Sequence, residues 1–187
     1  MATEEPPFKL VAEDGAFSVR DYPSLMVAEV LVSGDHDAAA SAGFKLLAGY
    51  IFGGNTPGQR IAMTAPVVQS PRAGEKIAMT APVTQTGDAG GWTVRFTMPA
   101  GYTLQTLPKP NDARVKLMAT PPSRMAVVRF SGLANAPDVE RQTALLREFI
   151  ARKKFRATGP ASLARYNPPW TLWFMRRNEV MIPLEAG

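Results

Sequence analysis

The chain has 187 residues, 45% apolar and 20% charged, which is enough for a well-buried core in a single domain. It contains no Cys and one His, which excludes disulfides, thiolate metal centres, iron–sulfur clusters and Cys nucleophiles, and leaves a catalytic zinc site short of ligands. The net charge of +5 and the isoelectric point near 9.7 favour acidic partners such as nucleic acid, phospholipid headgroups or a carboxylate ligand.

Met1 to Pro7 is polar and acidic, without a secretory or lipidation pattern, and no window reaches 18 uninterrupted apolar residues. A cytoplasmic protein without membrane spans is expected. Phe8–Glu13 reads as a strand, Asp14-Gly15 as a turn and Phe17–Arg20 as a second strand with Phe17 and Val19 on one face. Met26–Val32 is a Val-rich strand. Ala40, Phe44, Leu47 and Ile51 then fall on one helical stripe between an N-cap at Asp35 and a stop at Gly53-Gly54, which predicts a helix over about 36–52.

Further on, Trp92–Met98 alternates as a strand, and Gly101–Asp112 carries turn signals at Pro108, Pro110 and Asn111. Val115–Ala119 and Met125–Phe130 read as a hairpin across Pro121-Pro122-Ser123. Pro137 at a first helical position, acidic residues in the first turn and the stripe Val139, Leu146, Phe149, Ile150 predict a second helix over about 137–153. Trp170–Met175 is apolar on both alternating faces and reads as a central strand, paired with Val180–Leu184 across Arg177-Asn178.

Met26-Val27-Ala28 and Met125-Ala126-Val127 are 99 residues apart, as are Ile51 and Ile150. The spacing implies an α+β fold built from duplicated β-α-β-β halves, about 16–100 and 113–187 after an N-terminal extension over 1–15. Two helices would pack on a distorted antiparallel barrel or curved sheet. A closer repeat lies within the first half. Ile61-Ala62-Met63-Thr64-Ala65-Pro66-Val67 recurs unchanged as Ile77-Ala78-Met79-Thr80-Ala81-Pro82-Val83. Read as strands, each copy sets its Ile, Met, second Ala and Val on one face, and its Pro needs an edge, a bulge or a strand end. A turn over Pro71–Gly74 would make the copies hairpin partners.

Several ordered motifs carry a resemblance over most of the chain: Val19-Arg20-Asp21-Tyr22; Gly43-Phe44 in a helix ending Tyr50-Ile51-Phe52-Gly53-Gly54-Asn55; the two Ile-Ala-Met-Thr-Ala-Pro-Val copies preceded by Arg60 and Lys76; and Tyr166-Asn167-Pro168-Pro169-Trp170 with Arg177-Asn178-Glu179-Val180. Together they resemble the SOUL haem-binding protein family. The resemblance implies a two-helix distorted barrel, similar to the effector-binding domains of some bacterial regulators, and reversible non-covalent binding of haem or another porphyrin. At the position where some animal members carry a proposed His ligand, this chain has Asp21.

The expected site is an apolar groove beside the first helix and the Ile-Ala-Met-Thr-Ala-Pro-Val strands. Phe44, Leu47, Ile51, Met63 and Met79 would form its wall, Tyr166 and Trp170 would stack on the macrocycle, and Arg60 and Lys76 would pair with the propionates. Arg176 and Arg177 are further cation candidates, while Trp173 and Phe174 read more simply as core. A bond to haem iron falls to His36 at the helix start, to a Met thioether, or to no protein group. The basic run Arg152–Arg156 is accounted for by its place at a helix C-terminus, and no DNA- or RNA-reading motif accompanies it. No nucleophile elbow or phosphate loop is present, so binding rather than catalysis is expected. The reading is a monomer that buffers, carries or senses a tetrapyrrole. The competing reading is a small-molecule effector-binding or protein-interaction module that does not depend on haem; an enzyme acting on such a ligand is the weakest alternative.

Overall fold

A computed structural model describes residues 4–56, 74–88, 91–167 and 170–186. The N-terminal strands are β1 (Lys9–Asp14), β2 (Phe17–Tyr22) and β3 (Met26–Val32), followed by helix α1 (His36–Ile51). Then come β4 (Asn55–Thr56), β5 (Val83–Asp88), β6 (Gly91–Thr97), β7 (Lys109–Pro110), β8 (Lys116–Ala119) and β9 (Ser123–Ser131). Helix α2 (Ala136–Arg152), β10 (Ser162–Arg165), a 3-10 turn at Trp173–Met175 and β11 (Arg177–Leu184) complete the order. Nine strands form one sheet, β1-β2-β9-β11-β10-β5-β6-β3-β8, with every neighbouring pair antiparallel. Among the described residues β1 and β8 remain separate edges, so of the two expected forms the curved sheet is found and the closed barrel is not.

The helices form where the apolar period and the caps coincide. Asp35 accepts hydrogen bonds from the backbone N–H groups of Asp37 and Ala38 at the start of α1, and Asn135 does the same for Asp138 at α2. Gly53, at φ +114°, then turns the chain out of α1 in a conformation that a side chain would strain. The buried stripe of α1 is Ala39, Gly43, Leu47, Tyr50 and Ile51, one position back from the expected Ala40 and Phe44. The reason lies at Gly43, where a Cβ would sit 2.5 Å from a Val94 methyl, so the helix approaches β6 most closely there. Ala40 and Phe44 are left on the flank.

The strand order is symmetric about the β5–β10 junction, with β6, β3 and β8 on one side and β11, β9 and β2 on the other. Phe17, which opens β2, and Lys116, which opens β8, are also 99 residues apart, yet each strand pairs with the opposite half. This exchange overturns the expected hairpin of Val115–Ala119 with Met125–Phe130. Met118 lies opposite Val27 on β3, and Val127 lies opposite Ser18 on β2.

Two further expectations fail at the C-terminal end. Trp170–Met175 is an exposed turn rather than a central strand, with Trp170 82% and Trp173 57% exposed. Arg177 and Asn178 are not a hairpin turn but the first residues of β11, which pairs with β9 and β10. An apolar run specifies burial only when partner strands are available, and β11 already holds the place between β9 and β10. The central strand β10 was not anticipated, because Ser-Leu-Ala-Arg is too short and too mixed to show a period. In the second repeat copy, Ile77, Met79 and Val83 pack beneath α1, but Ala81, expected on the same face, is buried outside that cluster, and regular pairing starts only at Val83. The first copy, residues 61–67, and most of the turn proposed over Pro71–Gly74 lie outside the described residues.

Apolar clusters cover both faces of the sheet. Under α2, Val19, Ala126, Val128, Val180, Ile182 and Leu184 meet Leu146, Phe149 and Ile150; under α1, Ala28, Val30, Val94 and Phe96 meet Leu47, Tyr50 and Ile51. The alternate residues Tyr22, Val127, Ala164 and Met181 form a third cluster on the opposite face.

Candidate functional site

A cavity opens on each face of the sheet. On the helix face, α1 and α2 cover separate halves, and a cavity of about 360 Å³ lies between them at the β5–β10 junction. Ala40, Phe44, Val83, Val94 and Leu133 supply its apolar walls. Phe44 packs edge-on against Phe96, with ring centroids 5.5 Å apart, and this contact holds the ring in place. The polar lining comes from Asp37 and Ser41 on α1, from Arg165 and Gln85 on the two junction strands, and from Arg176, Asn167 and Asn178 beside the exposed aromatic turn, so two guanidinium groups face one carboxylate.

Arg165 is positioned by neutral oxygens. Its Nη1 donates to Gln85 Oε1 at 3.1 Å and its Nη2 to the Ala134 carbonyl at 3.4 Å, while Asp37 stands 3.8 Å away. Burial lowers its pKa, partly offset by Asp37. Gln85 is itself fixed by donating to the His36 carbonyl at 2.7 Å, and Asn178 by donating to Gly132 O at 3.0 Å. Arg176 donates to Thr171 O at 2.8 Å. The chemistry is apolar walls with guanidinium groups at the rim, a match for an amphipathic anion.

On the opposite face the curl of the sheet forms a trough of about 380 Å³. Val27, Thr84, Thr86, Met118, Met125, Met181 and Tyr166 line it, and residues 5–8 run along its mouth. Beside it lies a closed polar network around Glu179, whose residue exposure is 0%. Arg20 grips both carboxylate oxygens at 3.0 and 3.2 Å, Arg177 donates at 2.9 and 3.3 Å, and the Tyr166 hydroxyl donates at 2.7 Å. Burial pushes Glu179 up, yet the hydrogen bonds from Arg20, Tyr166 and Arg177 outweigh it and hold the carboxyl below its ordinary range. Burial and the neighbouring Glu179 raise the Tyr166 hydroxyl well above its usual value. Asp21, which stands where some relatives have a His, is held in a bidentate ion pair with Arg124 at 2.7 and 2.9 Å.

The structure separates the residues that the sequence grouped as one site. Phe44 lines the helix-face cavity, whereas Leu47 and Ile51 are fully buried beneath α1 and present no wall to a ligand. Met79 packs half-buried on the same cluster, and Lys76 is exposed. Tyr166 lines the trough on the other side of the sheet, and Trp170 stands out from the turn. Arg60 and Met63 lie outside the described residues. His36, the candidate iron ligand at the helix start, is mostly buried. Its side chain is 12% exposed, packs edge-on to Trp92, and donates from Nδ1 to the Asp37 carboxylate at 2.9 Å, while Nε2 is buried with no hydrogen-bond partner. His36 lines neither cavity, and among the described residues no cluster of metal-ligating side chains is found. Arg165, Gln85 and Leu133 were missed because each belongs to a different element and only the β5–β10 junction brings them together. Charged residues inside Arg177-Asn178-Glu179-Val180 were the available signal for the Glu179 network, obscured by reading Arg177-Asn178 as a turn.

These features define the class: an α+β domain with two helices on one face of a curved antiparallel sheet and an open cavity on each face. The model of the SOUL heme-binding protein family matches residues 3–183, and the chain belongs to that family. The fold is similar to that of the C-terminal domain of EcmrR, at 10% identity and a TM-score of 0.62 over 91% of this chain and 98% of that one. It is also similar to a hydrolase from Listeria innocua, at 14% identity and a TM-score of 0.55 over 99% and 94% of the two chains. At such identities the likeness is one of fold. No curated protein matches the sequence. No described helix is long and apolar enough to cross a membrane.

Proposed function

We propose that the protein is a cytoplasmic, monomeric binder of haem or a related tetrapyrrole, held non-covalently and reversibly in the helix-face cavity for buffering, carriage or sensing. Membership of the SOUL family supports the ligand class. The observation that carries the site is the pairing of apolar walls at Phe44, Val83, Val94 and Leu133 with Arg165 and Arg176 in one cavity. A porphyrin has the same division, an apolar ring with two carboxylates at one edge. Phe44 and Leu133 would stack on the ring, and Arg165 and Arg176 would receive the propionates. The exposed turn at Trp173–Met175 adjoins Arg176 and would cover the part of the macrocycle that a 360 Å³ cavity leaves outside.

When bound, haem supplies an iron centre, and this chain offers it no His from the cavity wall. Affinity then rests on ring burial and propionate pairing, which metal-free porphyrin shares. Titration with haem and with metal-free protoporphyrin, followed by absorption and Trp fluorescence, is expected to give comparable affinities. Phe44→Lys and Arg165→Gln should each weaken both ligands by about tenfold, roughly 1.4 kcal/mol, with far-ultraviolet circular dichroism unchanged. Binding of haem alone, or full affinity in both variants, would overturn the reading.

A further inference from the structure

The trough on the face away from the helices is not used by the proposed haem site, and its charges are arranged unusually. Arg20 and Arg177 flank one buried carboxylate, Glu179, which already accepts from both and from Tyr166. The second positive charge is balanced from outside the sheet. Glu5, on the N-terminal segment along the trough mouth, places its carboxylate oxygens 3.0 and 3.1 Å from Arg177 Nη1. The Arg177 guanidinium carbon lies over the Tyr166 ring, 3.8 Å from its centroid, and both Tyr166 and Glu5 line the trough. Glu5 is thus a tethered carboxylate, in the lining of a largely apolar cavity, held on a guanidinium that sits over the Tyr166 ring. Its partner segment is lightly fixed, through Glu4 to the backbone N–H groups of Ala81 and Ala100 and through Phe8 against Tyr22 and Arg20.

Away from that end, the walls are Val27, Met118, Met125, Met181 and Pro183, interspersed with Thr and Ser hydroxyls. Arg177 itself stands behind Glu5 and Tyr166, and the only cation lining the trough among the described residues, Arg95, is paired with Glu29 at 2.6 Å. Among the described residues lining the trough the one carboxylate, Glu5, is already paired, so a cationic ligand would meet no open partner there, whereas an anionic head could replace the Glu5 side chain without unpairing Arg177.

We propose that the trough is a second binding site, for an amphipathic monocarboxylate whose apolar chain lies along Val27, Met125 and Met181 and whose carboxylate displaces Glu5 from Arg177. Methionine walls suit such a ligand, since their side chains adapt to flexible chains, and about 380 Å³ lies in the range of small-molecule sites. Glu5 then acts as a built-in competitor that keeps Arg177 neutralised when the site is empty.

The test uses the full chain with dodecanoate, dodecanol and dodecyltrimethylammonium as probes, each displacing a dansyl-labelled undecanoate below its micellar concentration. Dodecanoate should displace the label and the cationic probe should not. Glu5→Gln removes an exposed competitor without disturbing the core and should tighten dodecanoate about two- to fivefold, the worth of one surface ion pair. Thr84→Trp, which fills the trough, should weaken dodecanoate about tenfold or more and leave haem binding unchanged. The proposal is overturned if the cation or the alcohol binds as tightly as dodecanoate, if Glu5→Gln brings no gain, or if haem competes with dodecanoate for one site. Failure of haem to bind anywhere would leave these results standing, so the two sites are judged separately. Should Thr84→Trp not fold, Glu5→Gln and the choice between head groups still decide.

Discussion

The two faces of the sheet treat buried charge in opposite ways. Beside the trough, Glu179 accepts five hydrogen bonds from Arg20, Arg177 and Tyr166, and the cluster is close to neutral once Glu5 is added. In the helix-face cavity Arg165 is held mainly by neutral oxygens of Gln85 and Ala134, with Asp37 more distant. A self-satisfied network fixes a fold, because losing any member leaves a buried charge uncompensated. A cation held by neutral acceptors keeps its charge for something else. The difference separates a cluster whose centre, Glu179 with Arg20 and Tyr166, is structural and which offers a ligand only the outer position of Glu5, from one whose guanidinium is held by neutral groups.

The sharpest way to break this comparison is at Glu179. Glu179→Gln leaves Arg20 and Arg177 without their shared anion, and a loss of about 3 kcal/mol or more is expected, read as a lower urea midpoint. Arg165→Gln, by contrast, should change stability by less than about 1 kcal/mol while weakening porphyrin about tenfold, since its partners are amide and carbonyl oxygens. Equal destabilisation by both substitutions would erase the distinction between the faces.

Acid sharpens the same contrast. Glu179 has its carboxyl held below the ordinary value of 4.5, so the folded state binds its proton less readily than the unfolded chain does. Its contribution is fully present above that value and is lost as pH falls through the lower folded value. Urea midpoints should therefore drop as pH falls below the ordinary carboxylate value of 4.5, and Glu179→Gln should flatten that drop; an unchanged slope would place acid sensitivity elsewhere.

The smallest effect is expected at His36. Its Nε2 is buried and it lines neither cavity, so His36→Ala should alter haem affinity by less than about tenfold, roughly 1.4 kcal/mol. Loss of a six-coordinate haem spectrum together with a hundredfold weaker affinity would make His36 the axial ligand and reopen the placement of the site.

Local chemistry made much of this molecule legible from its residues. Asp35 and Gly53 bracket α1 because capping and a positive-φ turn are properties of the residue itself, and the 99-residue spacing that separates Ile51 from Ile150 also separates the first residues of β2 and β8. Even the face assignment of Ile77, Met79 and Val83 followed from a two-residue period before any strand pairing was known. Strand partners were a different matter. Nothing in Lys116–Ala119 states that it joins β3 rather than its neighbour β9, because backbone pairing carries little sequence code and the exchange with β2 is settled by how both halves close over one core. The same holds for the sites. Phe44 was found by its helical position, but Leu47 and Ile51 on the same stripe turned inward once Gly43 brought the helix onto Val94, and Tyr166 went to the other face of the sheet. Only tertiary structure set Arg165 and Phe44 around one cavity and Glu5 on Arg177, because those placements join residues 121 and 172 positions apart, and nothing local to either partner specifies the other.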